Sequence, residues 1–400
     1  MKQTVMTINA GSSSLKFAYY EADTSSVAEL ARGQVEGIGA NPRFKLRARS
    51  GAVLAEEVFE GDDAPQDASQ ALDKVLEWQH LNYPDVEVDA IGHRVVHGGP
   101  DYSEPMIVND ELLKQLEAFV PLTPLHQPHN LAGIAAARKA FPEALQVACF
   151  DTSFHRTHPW VNDVFALPLE LYDAGVRRYG FHGLSYEYII GALRERAPMH
   201  AAGRVVVAHL GNGASMCAMR DGLSVGSSMG FSALDGLPMG TRCGQIDPGV
   251  LLYLMNTKGM SVEELTTLLF EHSGLAGLSG ISHDMRVLME SDRPEAARAI
   301  EYFVFRVRRE LGAMAAVLGG VDALVFTGGV GENAGPVRER ICSGLEWLGI
   351  ELDQHRNRIS ESMISSDRSR CRVFVIRTDE ESVIANHVHS LLRANAHSVG

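Results

Sequence analysis

Glycine-flanked basic residues recur along the chain and indicate a site for a negatively charged group. They are Arg94 within G-H-R-V-V-H-G-G (92–99), His182 within Y-G-F-H-G-L-S (179–185) and Arg242 within M-G-T-R-C-G (239–244). Arginine presents a planar fork of donors that suits carboxylate or phosphate oxygens. A phosphoryl group in transfer spreads negative charge over its equatorial oxygens, which fixed cations stabilise without reorganisation. Together these residues predict phosphoryl transfer, whereas each taken alone also fits a structural role.

Acidic residues stand where they can assist such a reaction. Asp151 follows the apolar segment 146–149, which we predict to be a strand, and Glu380 and Glu381 precede a helical pattern. An acid at a strand's end can orient a nucleophile or hold a metal-bound water. Glu380 or Glu381 can bind a hydrated Mg²⁺. The alternative for the two glutamates is a favourable interaction with the helix dipole.

Two turns of small residues predict contacts with a nucleotide. One is N-A-G-S-S-S-L-K (9–16), and the other is G-G-V-G (328–331). Small side chains let backbone N–H groups approach phosphate oxygens, and Lys16 adds positive charge. The turn at 328–331 suits a base or ribose lying against glycine backbone. The segment 9–16 lacks the spacing of a P-loop. The alternative interpretation of this segment is an ordinary hairpin with a solvated lysine.

Elements of an α/β fold must position these residues. Apolar residues keep helical spacing from Tyr302 to Leu318, and a Gly-Gly pair at 319–320 then stops the helix. The nearly unbroken apolar run 321–327 predicts a strand buried on both faces of a parallel sheet. The glycine turn at 328–331 therefore lies at the carboxyl end of a strand, where open α/β sheets bind their ligands.

The two halves of the chain resemble each other. A strand-like run at 5–8 leads through a small-residue turn into the run 15–20, and the run 204–208 leads through a similar turn into 216–219. A duplicated α/β domain with a cleft between the copies produces this pattern. Its alternative is chance similarity between two hairpins.

Composition limits the classes of function. The length of 400 residues predicts about two or three domains, and 45% hydrophobic with 22% charged residues is typical of a soluble globular protein. The net charge of −14 disfavours nucleic acid and anionic membranes as partners. Five dispersed cysteines without a C-x-x-C pair fit a reducing cytosol, and no apolar run has the ~18 residues of a membrane helix. We therefore expect a cytoplasmic enzyme that binds neither nucleic acid nor membrane.

A series of motifs runs in order along nearly the whole chain and matches one known family. The motifs are N-A-G-S-S-S-L-K (9–16), G-H-R-V-V-H-G-G (92–99), F-D-T-S-F-H (150–155), Y-G-F-H-G-L-S (179–185), H-L-G-N-G-A-S (209–215), G-L-P-M-G-T-R-C-G (236–244), S-G-I-S-H-D-M-R (279–286) and F-T-G-G-V-G-E-N (326–333). On these residues the chain resembles the acetate/propionate kinase family of the actin–Hsp70–sugar-kinase superfamily. In combination the motifs are highly specific, and the structural alternatives lose most of their weight.

The resemblance implies a fold, a reaction and an assembly. The fold is α/β, with duplicated actin-like ATPase (ribonuclease H-like) domains and an interdomain active-site cleft. Residues 1–150, joined by a C-terminal segment from about 380 to 400, form one domain, and residues 151–379 form the other, with the nucleotide site and a dimer interface. The reaction is reversible, Mg²⁺-dependent, in-line phosphoryl transfer from ATP to acetate, with Mn²⁺ as a substitute metal and a homodimer as the assembly. The alternatives are a propionate kinase and a non-catalytic nucleotide-binding protein of the actin/Hsp70 type.

The resemblance also implies roles for individual residues. Asn9 and Glu380 are similar to the metal-site residues. The implied ATP site comprises Lys16, His209, Leu210, Gly211, Asn212, Gly213, Asp284, Met285, Arg286, Gly329, Val330, Gly331, Glu332 and Asn333. Arg94 is similar to the residue that holds the acyl carboxylate, with Val96, Leu125 and Phe181 as walls of the acyl pocket. His182 and Arg242 resemble the stabilisers of the transition state, and Asp151 matches the residue usually given as acid/base.

The chain departs from the family pattern at a few positions, namely Tyr186, Ser232, Ala233, Gln245 and Asp379. Ala233 has the clearest consequence, because it stands where a proline usually lines the acyl pocket. A smaller residue there can admit a longer acid, so the propionate alternative stays open.

The role of Asp151 follows from the chemistry of the acceptor. A simple aliphatic acid is already ionised at pH 7, so its carboxylate attacks without a general base. We therefore predict that Asp151 positions the carboxylate-binding network or the metal-bound waters.

Overall fold

The chain folds into two compact units. The structure, a computed structural model, describes residues 2–11, 13–84, 86–124 and 126–398. The first unit comprises residues 1–153 and 379–400, and the second comprises residues 154–378. The C-terminal segment therefore belongs to the same unit as the N-terminus.

The described residues form two sheets. The strands are β1 (Gln3–Ala10), β2 (Ser14–Ala22), β3 (Val27–Glu36), β4 (Arg43–Ala48), β5 (Val53–Val58), β6 (Ala90–Val95), β7 (Met106–Ile107), β8 (Leu145–Phe150), β9 (Arg204–Leu210), β10 (Ala214–Arg220), β11 (Leu223–Ser227), β12 (Ala323–Thr327) and β13 (Arg372–Val375). The first unit's sheet has the order β5-β4-β3-β2-β1-β6-β8-β7, and that of the second has the order β11-β10-β9-β12-β13.

Helices pack on both sheets. The helices are α1 (Ala68–Asn82), α2 (Asp110–Glu117), α3 (Gln127–Ala140), α4 (Trp160–Asp163), α5 (Leu169–Asp173), α6 (Gly183–Arg196), α7 (Pro198–Ala201), α8 (Pro248–Asn256), α9 (Val262–Glu271), α10 (Gly274–Ser279), α11 (Met285–Met289), α12 (Pro294–Leu318), α13 (Gly328–Asn333), α14 (Gly335–Cys342), α15 (Gln354–Arg358) and α16 (Glu380–Ser398). Short 3₁₀ turns occupy Gly61–Asp63, Val120–Leu122, Ser153–Thr157 and Glu346–Leu348. No helix of the described ranges combines the length and apolarity needed to cross a membrane.

The first unit's core lies between its sheet and helix α1. Asp67 begins this helix by accepting a hydrogen bond from the Gln70 backbone N–H at 2.9 Å, which satisfies one of the unpaired donors of the first turn. Leu72 of α1 belongs to one buried cluster with Phe17 and Phe44 of the sheet. On strand β6, a side chain at Gly92 would collide with Ile384 and Val388 of α16. The glycine therefore lets the C-terminal helix lie directly on the strand. This packing brings Glu380, the first residue of that helix, close to Arg94 of the same strand.

The second unit contains the predicted helix and strand, but the strand predicted at 321–327 begins at Ala323, and the glycine turn predicted at 328–331 is the first part of helix α13. Helix α12 ends where Gly319 adopts a φ of 73°, a conformation that glycine tolerates without strain. Strand β12 follows and is buried at every residue. It pairs in parallel with β9 on one side and β13 on the other. Because neighbours cover both edges and both faces, the strand needs an unbroken apolar sequence.

The predicted internal repeat is visible in both sheets. In the first unit, β1 pairs antiparallel with β2 and parallel with β6. In the second, β9 pairs antiparallel with β10 and parallel with β12. The turns after β1 and β9 are the small-residue segments that the sequence placed in corresponding positions. The same hairpin beside a parallel strand recurs, and the expectation of a duplicated α/β domain is confirmed.

Candidate active site

Arg94 forms the centre of the polar cluster in the first unit. Strand β6 carries Arg94 and pairs in parallel with β8, so Asp151, directly after β8, lies at the same edge of the sheet. Arg94 Nη2 donates to Asp151 Oδ2 at 2.6 Å, and Nε lies 3.1 and 3.2 Å from the two carboxylate oxygens. The Asp151 side chain is only 1% exposed. The two residues form a bidentate, charge-assisted pair, which fixes the plane of the guanidinium.

The predicted metal-site residues join this cluster. Strand β1 lies beside β6, and Asn9 Oδ1 accepts from Arg94 Nη1 at 3.3 Å. Glu380, the first residue of α16, places Oε2 3.7 Å from Arg94 Nε. Lys16 lies opposite Asn9 on strand β2 and is exposed. The fold thus brings together four residues that are far apart in the sequence: Asn9, Arg94, Asp151 and Glu380.

The charges of this cluster oppose one another. The pKa of Glu380 is raised to about 7, because burial and, less strongly, the carboxylates of Asp151 and Glu381 raise it by more than the positive charge of Arg94 lowers it. Burial lowers the pKa of Arg94, but the nearby carboxylates of Asp151 and Glu380 outweigh it, so the pKa of Arg94 rises. Arg94 therefore stays protonated, whereas Glu380 gains or loses its proton near neutral pH.

The donor set of the cluster suits a hard, hydrated cation. Asn9 and Glu380 supply an amide and a carboxylate oxygen, and the described residues contain no group of three or more His, Cys, Asp and Glu side chains arranged to hold a metal. Mg²⁺ commonly binds through one or two carboxylates, substrate phosphates and several waters, without a cage of protein ligands. An additional positive charge would also favour the ionised form of Glu380. The chemistry of the site therefore fits Mg²⁺ that arrives with a phosphate ligand.

His182 occupies a strained position in the second unit. It precedes helix α6 with a φ of 60° and a ψ of 27°, in the left-handed region that few non-glycine residues adopt. Its Nδ1 lies 2.8 Å from Ser215 Oγ, and its ring stacks on His209 with centroids 4.3 Å apart. Strain of this kind persists where the surroundings hold a residue firmly, and it concentrates at functional sites.

Arg242 and His182 converge on the turn after β9. A Cβ atom at Gly213 would lie 3.1 Å from Arg242 Nη2 and 3.2 Å from His182 Nε2. Arg242 Nη1 donates to the Ala233 carbonyl oxygen at 2.7 Å, which anchors the guanidinium. Glycine at 213 therefore leaves room for two nitrogen-bearing groups to face the same point. Such an arrangement can stabilise the negative charge that develops on a phosphoryl group.

A pocket of about 670 Å³ lies in the second unit and has the size of a nucleotide site. Its lining includes many of the residues predicted to bind ATP, namely Gly211, Asn212, Asp284, Met285, Arg286, Gly329, Val330 and Asn333. Asp284 begins helix α11 by accepting from the Arg286 backbone N–H at 2.8 Å. Hydrogen bonds from the Arg286 side chain and backbone lower the pKa of Asp284 to about 2.

Other predicted nucleotide residues do not line this pocket. Leu210 is fully buried on β9, and the Gly331 carbonyl oxygen accepts from Arg338 Nη1 at 2.8 Å. Glu332 Oε1 accepts from the backbone N–H of Gly328 at 3.0 Å and of Thr378 at 3.3 Å, so its carboxylate supports the start of helix α13. His209 Nδ1 lies 2.8 Å from Ser185 Oγ. Leu210, Gly331 and Glu332 are therefore neighbours in the chain of residues that line the pocket, and their roles towards a nucleotide stay predictions.

The predicted walls of the acyl pocket lie in different units. Val96 is buried in the first unit, where its backbone N–H donates to Asn130 Oδ1 at 2.9 Å. Phe181 is buried in the second unit, and its carbonyl oxygen lies 3.0 Å from His155 Nε2. Leu125 lies outside the described residues. The roles of these residues towards an acid stay predictions.

Several residues at these sites were not predicted individually. The nucleotide-sized pocket is also lined by Leu275, His283, Met289, Phe303 and Ala334. Phe303 keeps the helical apolar spacing of α12, and from spacing alone it is indistinguishable from a core residue. His283 lies within the predicted motif 279–286, so the motif itself was a usable signal. Ser215 lies in the predicted motif 209–215, but its contact with His182 depends on the tertiary fold.

Comparison with known proteins gives a consistent result. The chain matches the model of the acetokinase family over residues 4–386. It is 61% identical to a protein named acetate kinase from Methylocella silvestris, across 98% of each chain. It is 50% identical to one from Rhodopseudomonas palustris, across 98% of this chain and 99% of that one.

Solved structures give the same result for the fold. A propionate kinase from Francisella tularensis has a TM-score of 0.89 and 37% identity, covering 97% of this chain and 99% of that one. An acetate kinase from Porphyromonas gingivalis has a TM-score of 0.85 and 37% identity, covering 98% of this chain and all of that one. The expected actin-like α/β fold class is confirmed.

Proposed function

The chain belongs to the acetokinase family, whose members are phosphotransferases with a carboxyl group as acceptor, and on this premise we propose that it phosphorylates acetate. The proposed reaction is reversible transfer of the γ-phosphoryl group of ATP to acetate, which gives acetyl phosphate and ADP. The observation that carries the proposal is the convergence of Arg242 and His182 on the glycine turn at Gly213, beside a pocket of nucleotide size. A nucleotide-binding scaffold needs the pocket but not these charge-stabilising side chains.

Each group of side chains has a task in the proposed reaction. The glycine backbone at 211 and 329 and helix α11 hold the nucleotide. The fixed guanidinium of Arg94 binds the acetate carboxylate and directs one oxygen towards phosphorus. A bond forms between that oxygen and the γ-phosphorus, while the bond to the β–γ bridging oxygen breaks and its electrons remain on ADP. His182 and Arg242 stabilise the charge on the equatorial oxygens, and no proton has to move.

Mg²⁺ is the proposed metal, and Mn²⁺ is its proposed substitute. When bound with ATP, Mg²⁺ neutralises phosphate charge and orients the nucleotide. Asn9 and Glu380 supply the oxygen atoms that suit its hydrated form, and Asp151 holds Arg94 beside them. The proposed site therefore combines the fixed positive charge of Arg94 with the positive charge of Mg²⁺, which binds together with ATP.

The direct test is an assay of acyl phosphate as its hydroxamate. The full chain is incubated with ATP and Mg²⁺ and with acetate, propionate or butyrate in turn. A higher kcat/KM for acetate supports the proposal. A higher value for propionate keeps the mechanism and changes the substrate, as the small side chain of Ala233 allows. Nucleotide binding without acyl phosphate from any acid contradicts the proposal and favours the scaffold.

Asp151→Asn tests whether this residue positions or acts as an acid/base. We expect kcat/KM for acetate to fall about 30-fold, because an amide cannot accept from both sides of the Arg94 fork. The pH profile of kcat should keep its shape, since a group that only positions another contributes no proton transfer. Turnover and metal dependence like those of the unsubstituted chain would contradict both roles. Loss of a limb of the pH profile would restore the acid/base role.

The stability of the metal-free protein should depend on Glu380. Its pKa is raised from 4.5 to about 7, so between these values the folded state binds more protons than the unfolded state. The free energy of unfolding therefore falls as the pH rises through this window. Glu380→Gln has no such proton to lose. The free energy of unfolding of the variant, relative to that of the unsubstituted chain, should therefore increase by on the order of 2 kcal/mol from pH 5 to pH 7.5.

Urea unfolding in the presence of EDTA at both pH values measures this difference. Glu143→Gln, at an exposed position of the same unit, is the control for the loss of one negative charge. Equal pH dependence of Glu380→Gln and the unsubstituted chain would show that Glu380 titrates normally.

We also propose that the protein is a homodimer that uses helix α8. This helix buries none of its residues within the chain, although Val250, Leu252, Tyr253 and Met255 are all large and apolar. Leu252 is 59% exposed and Tyr253 is 50% exposed. An apolar helix surface of this kind marks a protein interface, and a second copy of the chain is the partner expected of this family.

Light scattering after size exclusion tests the dimer. Leu252→Asp should convert it into a monomer, because the buried interface would then contain an unpaired charge. Leu223→Asp introduces the same charge at a 54% exposed leucine of strand β11 and should leave the dimer intact. A dimer that survives Leu252→Asp would exclude α8 from the interface.

A further inference from the structure

A buried chain of hydroxyl groups ends at His182. Tyr186 on helix α6 places its hydroxyl oxygen 2.5 Å from Ser215 Oγ, and Ser215 on strand β10 lies 2.8 Å from His182 Nδ1. Both Tyr186 and Ser215 are completely buried. The two hydrogen bonds connect the core of the second unit to the imidazole that faces Gly213.

The direction of these hydrogen bonds follows from the available acceptors. Among the described residues, Ser215 Oγ is the one hydrogen-bond partner of the Tyr186 hydroxyl, so the tyrosine proton has a single place to go. Burial raises the pKa of Tyr186 well above its ordinary value, and the hydroxyl keeps its proton. Ser215 then accepts from Tyr186, and the acceptor left for its own proton is His182 Nδ1. The reverse direction would leave one hydroxyl proton buried without an acceptor, which costs free energy.

We propose that Tyr186 and Ser215 are positioning residues that hold His182 in one neutral tautomer, with Nδ1 as acceptor and the proton on Nε2. Tyr186 O–H donates to Ser215 Oγ, and Ser215 O–H donates to His182 Nδ1. The second nitrogen of a histidine ring sets the tautomer by the bond that it makes. In other proteins a carboxylate or carbonyl oxygen fixes the tautomer by accepting from one ring nitrogen, whereas here the Ser215 hydroxyl fixes it by donating to Nδ1.

This tautomer suits the point that His182 faces. Nε2 and Arg242 Nη2 both lie near the position that a Cβ of Gly213 would occupy. A proton on Nε2 makes His182 a hydrogen-bond donor towards a phosphoryl oxygen there, whereas the other tautomer would present a lone pair to a negative oxygen. The contribution to catalysis rests on the proposed function, but the tautomer itself is a property of the folded chain alone.

The tautomer can be read directly from ¹⁵N NMR of histidine-labelled full-length protein at pH 8, without substrate. A ring nitrogen that carries a proton and one that does not have well separated ¹⁵N shifts, and tautomer exchange averages them. The signals of His182 are assigned by their absence in His182→Gln. We expect a protonated Nε2 and an unprotonated Nδ1. A proton on Nδ1, or averaged shifts in the unsubstituted chain, would overturn the proposal.

Variants of the two hydroxyl residues test their positioning role by the His182 shifts and by kcat together. Ser215→Ala should bring the two shifts of His182 together and lower kcat roughly tenfold, with KM for ATP and acetate within about twofold. Ser215→Thr keeps the hydroxyl and should restore both readouts. Tyr186→Phe removes the first donor and should lower kcat about threefold. If Ser215→Ala does not fold, Tyr186→Phe and the ¹⁵N spectrum of the unsubstituted chain still test the proposal.

Tyr19→Phe is the matched control. It removes another buried tyrosine hydroxyl, which donates to Gln79 Oε1 at 2.6 Å in the first unit, and should change neither kcat nor the spectrum of His182. Unchanged His182 shifts and unchanged kcat in both Ser215→Ala and Tyr186→Phe would refute the positioning role of Tyr186 and Ser215. If the unsubstituted chain phosphorylates no acid, the proposed function fails, and the spectra still decide the tautomer.

Discussion

Arg94→Ala is expected to lower kcat/KM for acetate by about 10²–10³-fold, the loss that follows removal of one fixed donor from a charge-stabilising site. Arg94 is the cation between Asp151, Asn9 and Glu380, and its guanidinium plane is fixed by three contacts with the Asp151 carboxylate. Alanine removes the proposed ligand of the acetate carboxylate and leaves two carboxylates without their compensating charge. KM for acetate should rise and kcat should fall, while the affinity for the nucleotide changes little.

The loss of function must be separated from a loss of stability. Breaking a buried ion pair by removing one partner costs about 3 kcal/mol, because the other charge remains buried. In the double variant Arg94→Ala/Asp151→Asn the charge of Asp151 is also gone, and Glu380, whose pKa is raised to about 7, can take up a proton, so most of the stability should return while the activity stays low. Arg138→Ala, which breaks an exposed pair with Asp110, should affect neither. Unchanged kcat/KM in Arg94→Ala would remove this residue from the mechanism.

Arg242→Ala is expected to reduce kcat by about 10²–10³-fold with little change in KM for ATP. Arg242 Nη2 faces the turn at Gly213, but Arg242 is not among the residues that line the nucleotide-sized pocket. It should therefore act on the group in transfer more than on the bound nucleotide. Arg242→Lys keeps a positive charge but loses the planar fork, including the contact of Nη1 with the Ala233 carbonyl oxygen. We expect it to recover only part of the activity.

Steady-state kinetics with ATP and acetate varied separately give both parameters. Arg196→Ala, at an exposed arginine near the end of helix α6, controls for the loss of one positive charge from the same unit. A rise in KM for ATP with constant kcat would move Arg242 from the transition state to ground-state binding.

The sequence by itself determined the fold class, the internal repeat and the residue types of the reaction. Glycine-flanked Arg94, His182 and Arg242 could be selected because close approach to a ligand and a strained backbone both restrict the local sequence. His182 shows this, because it adopts a left-handed backbone conformation between Gly180 and Gly183. The buried strand β12 and the end of α12 at Gly319 were likewise predictable, because hydrophobic periodicity and helix termination are local properties.

Only the tertiary structure decided which of these residues contact each other. Arg94 and Asp151 are 57 positions apart and meet because β6 and β8 are parallel neighbours in register. Phe303 lines the nucleotide-sized pocket, although its spacing is that of a core residue. The order of Tyr186, Ser215 and His182 depends on how α6 lies against β10. Local spacing restricts the conformation of each segment, whereas the packing of distant segments sets the partner of every buried donor and therefore the position of its proton.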